Sequence, residues 1–73
     1  MTEDGKDAAF MTLAQFLKAR GVAQTGGQAK VLVREGGITV NGEAEARPGR
    51  KLHNGDVVVF QGQSMPVDGV RGS

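Results

Sequence analysis

Apolar residues recur along this chain with two different periods, and the change of period divides it into a helical part and a sheet part. Leu13, Phe16 and Leu17 fall at i, i+3 and i+4, the spacing that lines one side of an α-helix. Thr12 followed by Gln15 makes a capping box ahead of them, Met11 and Phe16 are placed as a hydrophobic staple, and Gly21 supplies the stop. A helix this short does not persist alone, so it is expected to dock on a neighbour. The short connection Val22-Ala23-Gln24 makes the next helix that neighbour, with Val22 filling the corner. A second capping box, Thr25 with Gln28, opens this helix, and Ala29, Leu32 and Val33 repeat the apolar stripe. It is expected to run to about Glu35, where Gly36 can take the left-handed conformation that closes a helix.

From Ile38 the period becomes two, and Ile38-Thr39-Val40 alternates into the turn signal Asn41-Gly42. Two registers compete here. A two-residue turn sets Val40 opposite Glu43 and Ile38 opposite Glu45, which brings two carboxylates to the face meant for the core. A three-residue loop with Gly42 left-handed sets Ile38 opposite Ala44 and Thr39 opposite Glu43; it buries apolar residues and is the register expected. Arg47-Pro48-Gly49-Arg50-Lys51 then interrupts any ladder, and Asn54-Gly55-Asp56 is a further turn. Val57 to Phe60 is the strongest strand pattern in the chain. A bend at Gln61-Gly62-Gln63 leads to a return strand from Ser64 to Val67, which Pro66 confines to an edge. The expected organisation is a flexible acidic tail over 1–11, one domain over 12–67 and a polar, glycine-rich tail over 68–73.

Composition narrows the class. The 73 residues suffice for one domain, and with no cysteine neither a disulfide framework nor a thiolate metal site is available. A cytoplasmic setting fits that absence. The apolar run Val57–Phe60 is far shorter than the ~20 residues of a membrane span, and the acidic N-terminus has no apolar signal-peptide core, so no membrane partner is expected. The net charge of +1 conceals an asymmetry: from Lys18 to Lys51 seven bases face three acids, while outside that span two bases face five acids. Such clustering suits an anionic partner, or else is a solvated face.

Enzymatic chemistry finds little to stand on. His53 is the only histidine, with no second histidine, cysteine or carboxylate pair placed to complete a metal site or a triad. Glu43 and Glu45 are expected to solubilise a strand edge, and Met11 and Met65 to pack. Gly26-Gly27-Gln28 is the tripeptide that release factors use in peptidyl-tRNA hydrolysis, but here it coincides with a capped helix start and has no supporting domain. We therefore expect no enzyme, no catalytic residues, no metal and no cofactor. The two glycines do offer bare backbone amides that a phosphate can approach, or are simply a loose helix start.

The basic residues are the informative set. Gly27, Lys30 and Arg34 lie along one face of the second helix, away from its apolar stripe, and Arg47, Arg50 and Lys51 emerge from the loop after the hairpin. If helix and sheet pack through their apolar sides, both groups border one groove suited to a phosphodiester backbone. Only Phe10, Phe16 and Phe60 are aromatic, and Phe16 belongs to the core by periodicity, so a base-stacking platform is not available.

Those residues carry a resemblance. LAQFLKARG, the helix end AKVLVREG, ITVNG and LHNGD, in this order from Leu13 to Phe60, resemble the RNA-binding domain family first seen in small-subunit ribosomal protein four, built on the αL motif. Within that family the chain is most similar to the small free-standing YbcJ-like bacterial proteins. The resemblance implies an α+β fold in which two short packed helices precede a small, twisted, mostly antiparallel sheet, with RNA over the second helix and neighbouring strand loops. It places Lys30 and Arg34 at basic RNA-facing positions and Lys51 in the basic segment before the NGD turn. Thr25-Gly26-Gly27 replaces a Ser-Arg-Ser common in the family, and Thr12 stands where many members have arginine, which implies either weaker binding or binding shifted toward the backbone amides. The resulting expectation is non-enzymatic binding of structured RNA, ribosomal or transfer RNA, including within ribosomal particles. Lys30, Arg34, Arg47, Arg50 and Lys51 would contact phosphates, with Lys18, Arg20, Gly26 and Gly27 in support. The alternative is an adaptor whose basic face, with Val31 beside Lys30, meets an acidic protein.

Overall fold

A computed structural model describes residues 10–70 of the chain. The parts of the two expected tails over 1–9 and 71–73 lie outside the described residues. The order of elements is β1 (Met11–Thr12), α1 (Leu13–Ala19), α2 (Gly26–Glu35), β2 (Ile38–Val40), β3 (Glu43–Ala44), β4 (Lys51–Leu52), β5 (Val57–Phe60) and β6 (Gln63–Pro66). Two helices thus precede an antiparallel sheet of order β3-β2-β5-β6, with β1 and β4 pairing separately. The fold is α+β, as expected.

The two helix starts are built differently. At α1 the capping box closes in full: Thr12 Oγ1 accepts the Gln15 N–H at 3.1 Å and Gln15 Oε1 accepts the Thr12 N–H at 2.9 Å. The remaining first-turn donors reach across the chain, Leu13 N–H to the Arg50 carbonyl (2.8 Å) and Ala14 N–H to the Pro48 carbonyl (3.0 Å). At α2 Thr25 Oγ1 accepts the Gln28 N–H at 3.0 Å, but Gln28 Oε1 takes the N–H of Gln24 at 2.7 Å. The expected second box is therefore half formed, because the glutamine is drawn one residue upstream.

Leu13, Leu17, Ala29 and Val33 from the helices pack with Ile38, Val40, Val58 and Met65 from the sheet, and Leu52 and Val67 close the core. Full burial of such side chains contributes roughly 1.5–3 kcal/mol each, which is what holds elements this short together. Val22 and Leu32 pack against the core half-buried, as their places at the corner and at the edge of the stripe suggest.

The hairpin corrects the expected register. Thr39 pairs with Ala44 and Val40 with Glu43, and the Glu45 N–H bonds the Ile38 carbonyl at 3.0 Å. Asn41 and Gly42 both have positive φ, +54° and +85°, the signature of a two-residue turn whose twist matches the strands. Asn41 is also tied into β5: its Oδ1 accepts the Val57 N–H at 2.9 Å, and its amide donates to Asp56 Oδ1 at 3.1 Å. Local turn chemistry prevails over the apolar pattern, and the consequence falls on Glu45.

Three further differences concern short or terminal segments. Met11, assigned to the N-terminal tail, lies in β1, opposite Leu52. The return strand covers Gln63–Pro66 instead of Ser64–Val67, although the Val67 N–H still bonds the Asp56 carbonyl at 2.8 Å. The C-terminal segment is fastened as far as Val70, whose N–H and carbonyl both bond the Asn54 side chain, at 3.0 and 3.1 Å. Among the described residues no helix is long and apolar enough to cross a membrane.

Candidate nucleic-acid interface

Helix α2 turns Ala29 and Val33 inward, so the helical period sends Gly27, Lys30, Val31 and Arg34 outward, and all four are exposed. Val31 is the one exposed large apolar residue among those described, at 51%. Neither Lys30 nor Arg34 makes a side-chain hydrogen bond or ion pair with any described residue. At the head of the same helix the Gly26 and Gly27 amides find no acceptor among the described groups, since Thr25 Oγ1 serves Gln28. Neither glycine has positive φ, and a Cβ at either would meet nothing closer than 3.9 Å. Backbone conformation and packing therefore do not call for glycine there.

The loop cations are arranged in the opposite way. Glu45, opposite Ile38, is only 7% exposed and is the one buried charged residue among those described. Its Oε2 accepts from Arg47 Nε at 3.0 Å and from the Arg47 N–H at 3.1 Å, and its Oε1 accepts from Arg50 Nη1 at 2.8 Å. Hydrogen bonds from the Arg47 and Arg50 guanidiniums outweigh burial and hold the Glu45 carboxyl down at about 2. The backbone is fastened as well: the Arg50 N–H closes a turn onto the Arg47 carbonyl at 3.1 Å, and the Pro48 and Arg50 carbonyls cap α1. Lys51 follows in β4, with Nζ 4.8 Å from the Phe10 ring centroid. Arg47, Gly49, Arg50 and Lys51 line an open depression of about 500 Å³.

No described residue of α2 lines the depression. The two sites are neighbours through the backbone: Arg34 lies four residues before Ile38, at most about 14 Å away along the chain, and Ile38 is bonded to Glu45.

The remaining predicted positions separate. Lys18 is exposed on α1 and makes no side-chain contact of this kind with described residues. Arg20 is occupied at the far end of α1: it donates to the Pro66 carbonyl at 2.7 Å, lies 3.9 Å from Asp68 and stacks 5.3 Å from the Phe16 ring centroid. His53 is exposed in its turn and donates its backbone N–H to Asp56 Oδ2 at 2.8 Å. Among the described residues no cluster of three or more His, Cys, Asp or Glu is placed to hold a metal ion. Gln28 is exposed, and its Oε1 accepts the Gln24 N–H at 2.7 Å, so the glutamine of the tripeptide serves the helix start. Glu45 is what the sequence reasoning missed. Its signals were the Asn-Gly turn, which fixes the register, and arginines two and five residues downstream.

Fold and site together define a small two-helix, antiparallel-sheet domain that offers cations from one helix face and one stapled loop. The S4 domain family model matches residues 6–68, and the chain belongs to that family. It is 48% identical over 56 residues to "Probable ribosome maturation protein RlbA" of Bacillus subtilis (strain 168), covering 77% of this chain and 79% of that protein. It is 38% identical over 55 residues to "Putative RNA-binding protein YbcJ" of Escherichia coli (strain K12), covering 75% and 79% of the two chains. No solved structure matches it significantly.

Proposed function

We propose that this domain binds structured RNA, ribosomal or transfer RNA, in the cytoplasm and performs no chemistry on it. The observation that carries the reading is the outward face of α2, where Lys30 and Arg34 stand exposed and unpaired within the described fold. An exposed ammonium and guanidinium one helical turn apart suit successive phosphates, and the Gly26 and Gly27 amides at the positive end of the helix dipole extend the same row. Arg47, Arg50 and Lys51 supply the second group of phosphate contacts from the adjoining loop. Lys18 is peripheral, and Arg20 leaves the set because its guanidinium serves the fold. The functional unit contains at least residues 12–67. The names of the two relatives, one speaking of RNA binding and one of ribosome maturation, point the same way.

The recognition mode follows from what is absent from the surface. Phe16 is buried, Phe60 packs half-buried against the core, and the Phe10 ring lies under Lys51. With no ring open for base stacking, the domain reads backbone and the shape of folded RNA more than sequence. Filter binding with ribosomal RNA and with bulk transfer RNA across a salt series tests this. About five neutralised phosphates give a log–log slope of roughly −3.5 to −4.5. A slope near zero, together with protein partners that survive RNase in a pull-down, would favour the adaptor reading, in which Val31 and the helix cations meet an acidic protein.

A further inference from the structure

The Glu45 cluster needs an explanation beyond stability. Burying the Glu45 carboxylate carries a desolvation cost that its two arginine bonds must offset, and position 45, opposite Ile38, adjoins a core that an apolar residue would extend. What the carboxylate does achieve is orientation. It takes one side-chain donor from each arginine, Nε of Arg47 and Nη1 of Arg50, and so leaves both Nη groups of Arg47 and the Nη2 and Nε of Arg50 uncommitted to it. Arg47 nevertheless keeps 77% of its side chain in solvent, and both arginines line the depression beside Lys51. Long cationic side chains in a loop ordinarily lose rotamer freedom when they engage a ligand. Here that ordering is done in advance, on a backbone already stapled to α1.

Resting on the RNA-binding reading, we infer that Glu45 is a positioning residue: it holds the Arg47 and Arg50 guanidiniums in a preset fork around the depression, ready for one RNA phosphate. Glu45 touches no RNA itself. The inference assigns a favourable role in binding polyanionic RNA to a negative charge, and that makes it easy to overturn.

Glu45→Gln raises the net charge of the domain by one. If only overall charge mattered, the variant would bind ribosomal RNA more tightly and with a steeper salt slope. Under the inference the amide oxygen accepts from one arginine while its NH2 faces the other donor to donor, and the fork opens. The expected result is binding about 10-fold weaker with a salt slope shallower by about one, the loss of one phosphate contact. Equal or tighter binding by a folded Glu45→Gln variant overturns the inference and leaves the RNA reading in place. Failure of the parent protein to bind any RNA would instead remove that reading. Should circular dichroism show that Glu45→Gln does not fold, Arg47→Lys gives the second measurement. That side chain is mostly in solvent and keeps its charge, but an ammonium cannot bond Glu45 and also present a planar pair of donors. We expect several-fold weaker binding from it, and parental affinity would overturn the inference.

Discussion

The face of α2 and the loop from Arg47 to Lys51 carry charge of the same sign within one small fold, but they hold it in contrasting ways. Lys30 and Arg34 stand on a regular helix with no described partner, and only the helical period directs them outward. Arg47 and Arg50 sit in an irregular loop and are held by a buried carboxylate. A helix presents cations cheaply because its backbone is already fixed by its own hydrogen bonds. A loop has to borrow rigidity, here from Glu45 and from the first-turn amides of α1. The lesson is that rigid presentation of charge has a periodic signature on a helix and none in a loop.

The sharpest way to break the comparison is to reverse the helix charges alone. Lys30→Glu combined with Arg34→Glu should weaken binding to ribosomal RNA by about 100-fold or more, since four charges change in the row proposed to meet phosphates. Because neither side chain has a described partner, the thermal midpoint should stay close to the parent's. Retained affinity would mean that the loop alone accounts for binding. A large fall in the midpoint would mean that the helix cations serve the fold after all.

Acid separates the two regions next. The Glu45 carboxyl is held at about 2, below its ordinary value of 4.5, by hydrogen bonds from Arg47 and Arg50. The unfolded chain therefore takes up this proton more readily than the folded one. The stabilisation is fully present above about pH 4.5 and is lost as the pH falls toward 2. Urea unfolding followed from pH 6 to pH 2 should show that limb in the parent and in the helix double variant alike, since Lys30 and Arg34 have no described carboxylate partner. It should be reduced in Glu45→Gln. An unchanged limb in Glu45→Gln would place the acid sensitivity elsewhere, with Asp56 the next candidate. Burial raises the Asp56 carboxyl, and the His53 N–H and Asn41 amide bonds more than offset it.

The same contrast governs what could be read from the residues. The α1 capping box, both apolar stripes, β5 and the edge position of Pro66 follow from local rules that repeat along the chain. So does the outward direction of Lys30 and Arg34. The register of β2 and β3 was also available, since Asn41-Gly42 is a strong two-residue turn signal. The competing rule, that carboxylates stay out of the core, holds for a lone carboxylate and fails for one with two arginines. Strands of two residues such as β1 and β4 have no period to detect, and the bonds from Leu13 and Ala14 to Arg50 and Pro48 join residues more than thirty positions apart. The loop clamp depends on all of these at once, so it appears only when the chain is folded.

The two helix starts allow a finer comparison. Thr12→Ala removes one half of a closed capping box and should lower stability by about 1 kcal/mol. The cost extends beyond the helix, because the start of α1 also anchors the loop through the Pro48 and Arg50 carbonyls. Thr25→Ala acts on a half-formed box and should cost less, about 0.5 kcal/mol. Urea unfolding of both variants decides the order, and equal losses would show that the loop anchorage adds nothing at α1.

The smallest effect concerns Gly26 and Gly27, where stability and binding should move in opposite directions. Glycine in a helix is less favourable than alanine by up to about 1 kcal/mol, and less than that in the first turn. Neither position has positive φ, and a Cβ at Gly27 would come no nearer than 3.9 Å to Thr25 Oγ1, so alanine fits both without strain. Gly26→Ala with Gly27→Ala should therefore stabilise the domain by about 0.5 kcal/mol, in part by reducing the freedom of the unfolded chain. If phosphates approach these amides, two added methyl groups stand in their path, and affinity for ribosomal RNA should fall a few-fold while Lys30 and Arg34 remain. Greater stability with undiminished affinity would confine the interface to side chains. A joint loss of both would mean that the glycines answer a need of the fold that neither their φ angles nor their surroundings record.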